Sequence, residues 1–80
     1  MDDDSNVIRR SARDERLWTL RNGADFLRAE LCANAEFGAT LRFSRNDEFL
    51  LARRFDDDSV ARREADAVRA VYERLGWVAV

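Results

Sequence analysis

The sequence has no lysine and no histidine; all 14 basic residues are arginine, with a single cysteine, Cys32, and three glycines. Without histidine the chain lacks the usual general base near neutral pH and the commonest metal ligand. One cysteine excludes an internal disulfide and fits a reducing cytoplasm. Cys32 also has no histidine to activate it, so a nucleophilic role would need other thiolate-stabilising surroundings. Each glycine has a turn or a cap to explain it, which leaves none for a phosphate-binding loop. No apolar run approaches the roughly 18 residues that span a membrane. The opening Met1-Asp2-Asp3-Asp4-Ser5 is acidic, the opposite of a secretory n-region. These absences lead to the expectation of a cytoplasmic protein that is not an enzyme and has no cofactor, metal or membrane partner.

What is present describes a small globular domain. Eighty residues, 46% hydrophobic and 38% charged, are too apolar for disorder and too few for more than one core. The exclusive use of arginine has two readings: a GC-rich coding bias, or a need for bidentate and stacked contacts that lysine cannot make.

Residues 1–15 read as a flexible charged tail, with Val7-Ile8 the only apolar pair before Leu17. A short helix over residues 11–16 is the alternative. Residues 16–80 read as one domain. Leu17–Arg21, Asp25–Cys32, Ala39–Ser44 and Glu48–Phe55 are strand-like runs separated by turn residues, among them Asn22-Gly23, Gly38 and Asn46-Asp47. The period then changes. Ala61, Ala65, Val68, Val71, Tyr72 and Leu75 fall on one face of a helix, opposite Arg62, Arg63, Asp66, Arg69, Glu73 and Arg74. Asp56-Asp57-Asp58-Ser59 supplies an N-cap and favourable charge. Three consecutive aspartates point in different directions and lack calcium-loop spacing, so capping explains them better than a metal does. Gly76 and Trp77 form a Schellman ending in which Trp77 packs back on Tyr72. The expected fold is α+β: a three- to four-stranded antiparallel meander packed on one face by a single C-terminal helix. The expected core is Trp18, Leu20, Leu27, Leu31, Leu41, Phe43, Val68, Val71, Tyr72 and Leu75.

Strand alternation assigns the faces. A two-residue Asn22-Gly23 loop pairs Arg21 with Ala24 and Trp18 with Leu27. Trp18, Leu20, Leu27, Ala29 and Leu31 then face the helix, while Thr19, Arg21, Phe26, Arg28 and Glu30 face away. Ala39, Leu41 and Phe43 continue the inner face, and Glu30 can oppose Arg42. The last strand has two registers. A two-residue Asn46-Asp47 turn points Phe49, Leu51 and Arg53 outward; a three-residue loop buries Phe49 and Leu51.

Charge is unevenly spread. Residues 9–55 hold ten arginines against seven carboxylates, whereas residues 1–8 and 56–80 are both acidic. Two functions follow from a basic open sheet face. The first is a non-catalytic interaction module, a homodimer or an adaptor, with Phe26, Arg28, Arg42 and Arg53 as its contacts. The second is nucleic-acid binding through Arg21, Arg28, Arg42 and Arg53, with an aromatic available to stack.

Trp18, Leu20 and Arg21, then Arg53, Arg54 and Phe55, then Ala61, Ala65, Gly76 and Trp77, carry a resemblance across about residues 17–77. The sequence resembles a group of small, uncharacterised bacterial proteins with a Trp-x-Leu-Arg strand, an Arg-Arg-Phe strand end and a helix closing in Gly-Trp. The resemblance implies a fold and no activity. In topology alone, sheet then helix, the order is similar to AP2-type and integrase-arm DNA-binding domains.

Overall fold

The computed structural model describes residues 12–34 and 38–80. Strands β1 (Ala12–Asn22), β2 (Asp25–Asn34), β3 (Gly38–Arg45) and β4 (Glu48–Phe55) precede helix α1 (Asp58–Arg74) and a short β5 (Val78–Ala79). All pairings are antiparallel, in the order β4-β3-β2-β1-β5. Among the described residues this is an α+β meander with one helix on one face. It gains a fifth strand, which returns from the helix to pair Val78 with Arg21 and Ala79 with Leu20. Strand β1 begins at Ala12 and so takes in part of the stretch read as tail or short helix; residues 1–11 lie outside the described residues.

The first hairpin keeps its expected faces with different partners. Asn22 pairs with Asp25, so the two-residue loop is Gly23-Ala24 rather than Asn22-Gly23. Gly23 has φ +63 and Ala24 is not left-handed, the pattern of a turn that wants glycine first. Leu20 therefore opposes Leu27, and Trp18 opposes Ala29. A slip of two residues preserves parity, and every side chain keeps its face.

Two bulges then interrupt the alternation. In β1 the register shifts between Arg16 and Trp18, which sets Glu15 opposite Leu31 on the helix side. In β4, Asn46 (φ +53) and Asp47 (φ +67) form a two-residue turn with Arg45 opposite Glu48 and Ser44 opposite Phe49. The register then shifts, and Phe43 opposes Leu51. Neither uniform register expected for this strand is correct. The turn follows the two-residue register; beyond Leu50, the extra residue, the strand end takes the faces of the other register but not its partners. Phe49 stays on the open face, while Leu51, Arg53 and Phe55 swing to the helix side.

The core between sheet and helix is Trp18, Leu20, Leu27, Ala29, Leu31, Ala39, Leu41, Phe43, Ala61 and Ala65. Ala61 and Ala65 are fully buried, so nothing larger than a methyl separates α1 from the sheet there. The Trp18 indole Nε1–H donates to the Ala65 carbonyl at 3.1 Å, a buried tie between sheet and helix. Val68 and Tyr72 pack against this core, but Val71 and Leu75 do not join it; they are 45% and 67% exposed.

Both helix ends follow the capping pattern. Asp57 accepts a hydrogen bond from the Ser59 backbone N–H at 2.9 Å, which holds its carboxyl below the usual range. At the other end Trp77 N–H donates to Tyr72 and Gly76 N–H to Glu73, both at 3.1 Å, with Gly76 at φ +103. The Trp77 and Tyr72 rings meet edge-on at 5.7 Å.

Candidate functional site

The open face of the sheet is the surface the sequence singles out, and three of its expected contacts are there. Phe26 is exposed at the start of β2. Arg28 is half-buried beside it, with Nη1 at 3.2 Å from Asp47 and Nε at 3.6 Å from Glu30. That Nε is enclosed and has no hydrogen-bond partner. Arg42 lies opposite Glu30, as expected, and its guanidinium sits 6.0 Å from the Phe49 ring centre. Arg21 is exposed at the β1 end of the same face. Arg53 is not on this face. The β4 bulge carries it to the helix side, where Nη1 pairs with Glu64 at 2.7 Å and the guanidinium covers Phe55 at 5.5 Å.

Cys32 sits on the open face opposite Asp14 and Thr40. Burial pushes its thiol pKa up, and the Asp14 carboxylate adds to the effect. Both oppose thiolate formation.

The edge strands are β4 and the two-residue β5, which covers β1 only at Leu20 and Arg21 and leaves the start of β1 uncovered. Toward that start β1 carries Asp14, Glu15 and Arg16, all exposed, and charge of this kind protects an edge from pairing. Glu15 there accepts both guanidinium hydrogen bonds of Arg62, at 3.0 and 2.6 Å. Strand β4 instead presents Phe49-Leu50-Leu51, three consecutive large apolar residues that are 62%, 49% and 46% exposed. They wrap the edge. Phe49 joins Phe26 on the open face, Leu50 stands at the bulge, and Leu51 opens onto a cleft on the helix side.

That cleft has a volume of about 290 Å³. Its floor is Leu27 and Phe43, its walls are Leu51, Val68, Val71 and Tyr72, and the Arg53–Glu64 ion pair stands at its mouth. Sequence reasoning missed it because it counted Val71 as core. A signal was available in the run Phe49-Leu50-Leu51, since strict alternation cannot bury three neighbours. Among the described residues no cluster of acidic or thiol side chains could hold a metal, and no helix is long and apolar enough to cross a membrane.

No protein-family model matches this chain, and neither a curated protein nor a solved structure matches it.

Proposed function

We propose that this domain is a non-catalytic protein-interaction module of the cytoplasm, and that its contact surface is the β4 edge with the faces on either side. The observation that carries this reading is the exposed run Phe49-Leu50-Leu51 on the β4 edge strand. Phe26 and Arg42 extend the surface over the open face. Val71 and Tyr72 extend it over the cleft. Aromatic and arginine side chains beside aliphatic ones are what interface centres favour.

The nucleic-acid reading has less support. Arg53 faces the helix, and Arg28 is matched by Asp47 and Glu30, so two of its four arginines are committed to carboxylates.

The test is a photoactivatable cross-linking residue placed at Leu50 and, as a control, at exposed Ala70 on α1. The expected result is a discrete protein-sized adduct from position 50 in cells and none from position 70. Equal labelling from both would sink the proposal. Labelled DNA titrated at about 50 and 200 mM salt tests the other reading, which requires binding that weakens steeply with salt.

A further inference from the structure

Resting on that interaction reading, we infer that the partner of the β4 edge is a second copy of the same chain, paired antiparallel to it about a two-fold axis between Leu50 and Leu51. The argument is one of charge and face together. In an isologous strand pair, each residue meets its counterpart on the same face of the joined sheet. Glu48 opposes Arg45 and so lies on the helix side, as does Arg53, which opposes Leu41. A pair centred between Leu50 and Leu51 sets Glu48 against Arg53 of the second copy, and by symmetry Arg53 against Glu48.

The same register sets Phe49 opposite Ala52 on the open face, a large side chain against a small one. It places Leu50 beside Leu51 at the axis, which removes both half-exposed leucines from water. On the helix side the two clefts are brought together across the axis. Arg53 then stands between Glu64 of its own chain and Glu48 of the other, one guanidinium shared by two carboxylates.

Neighbouring registers fail on the same criteria. A one-residue shift opposes Glu48 to Arg54, yet Arg54 pairs with Thr40 on the open face and Glu48 lies on the helix side. A pair centred on Arg53 opposes two arginines, and like charges directly opposite are destabilising. A closed two-fold pair also consumes the β4 edge of both copies, so association through that edge stops at two.

The experiment is light scattering on the purified full chain across a concentration series up to about 500 μM, with the charge reversals Glu48→Arg and Arg53→Glu made singly and together in a Glu64→Gln background. That background removes the carboxylate beside position 53, and the wild type and Glu64→Gln alone serve as references. The wild type is expected to show the mass of a dimer at the upper end. Each single reversal should weaken dimerisation by about tenfold or more, and the double reversal should recover it to within about threefold. Circular dichroism of each variant separates loss of association from loss of fold.

A dimer that ignores both reversals, or that the double reversal does not restore, overturns the assignment. So does a monomer at every concentration. If that monomer accompanies a discrete adduct from position 50, the second copy is excluded while the interaction surface stands. If no adduct forms either, both fall together.

Discussion

Gly38 shows how one residue can be required by its surroundings. It has φ +83, where an L side chain is strained, and an added Cβ would meet the Phe55 carbonyl oxygen and come within 3.2 Å of Asp56 Cα. The obstacle is backbone on the neighbouring strand, which cannot swing aside as a side chain could. Gly38→Ala should lower the free energy of unfolding by about 2–4 kcal/mol, read as a fall in urea midpoint with little change in slope. Gly23 has positive φ with open space around it, so Gly23→Ala should cost less than Gly38→Ala in the same assay. Cys32 is the residue whose chemistry its setting suppresses. Its reaction with a disulfide reagent should be slow at neutral pH and rise only above the ordinary thiol range. Asp14→Asn should move that rise to lower pH.

At the level of elements, the two hairpin ends are clipped together. Asp25 accepts from Asn46 Nδ2 and from Arg45 Nη2, each at 3.0 Å, and Phe26 N–H donates to Asn46 Oδ1 at 2.8 Å. The hydrogen bond from Asn46, then that from Arg45, holds the Asp25 carboxyl below its usual range. A folded value below the unfolded one means the contribution is complete above about pH 3.9 and is lost as pH falls through the folded value. The unfolding midpoint of wild type should therefore fall faster than that of Asp25→Asn as pH drops from about 4 to 2. The close helix–sheet contact gives a second prediction: Ala65→Leu should destabilise by about 1–3 kcal/mol, because Trp18 and the helix backbone leave no room for it.

Much of this was legible in the chain. The caps around Asp57 and Gly76 were, because capping depends on residues a few positions apart. The inner faces of β1, β2 and β3 were, because parity survives a two-residue slip. Arg53 was not, since a bulge reverses parity without leaving a mark in composition, and the placing of a candidate contact depended on it. Asp14, Glu15 and Arg16 in β1 carried no alternation because all three are exposed. Two residues, Val78 and Ala79, were too few to read as β5.

Across the whole molecule, one side of the helix–sheet sandwich is left ajar. Ala61 and Ala65 in the N-terminal half of α1 are fully buried, whereas Val71 stands at the margin beside Leu50 and Leu51 of β4. Side chains on this margin are half in water in the isolated chain, so folding should be indifferent to them. Leu50→Asp should change the unfolding free energy of the dilute protein by no more than about 0.5 kcal/mol, read by chemical denaturation. In the same variant, contacts made through β4 should be lost. A large fall in stability would instead mark Leu50 as part of the fold.

The bulge at Leu50 also determines where the chain can change length. Removing Leu50 would leave Ser44 opposite Phe49 and Phe43 opposite Leu51 in an unbroken ladder, with Arg53 still against Glu64. Removing any residue from 51 to 54 would exchange the two faces for everything between the gap and the next bulge or strand end. Position 50 is thus a spacer whose loss is silent for the remaining contacts, and a one-residue deletion there should be the best tolerated in β4.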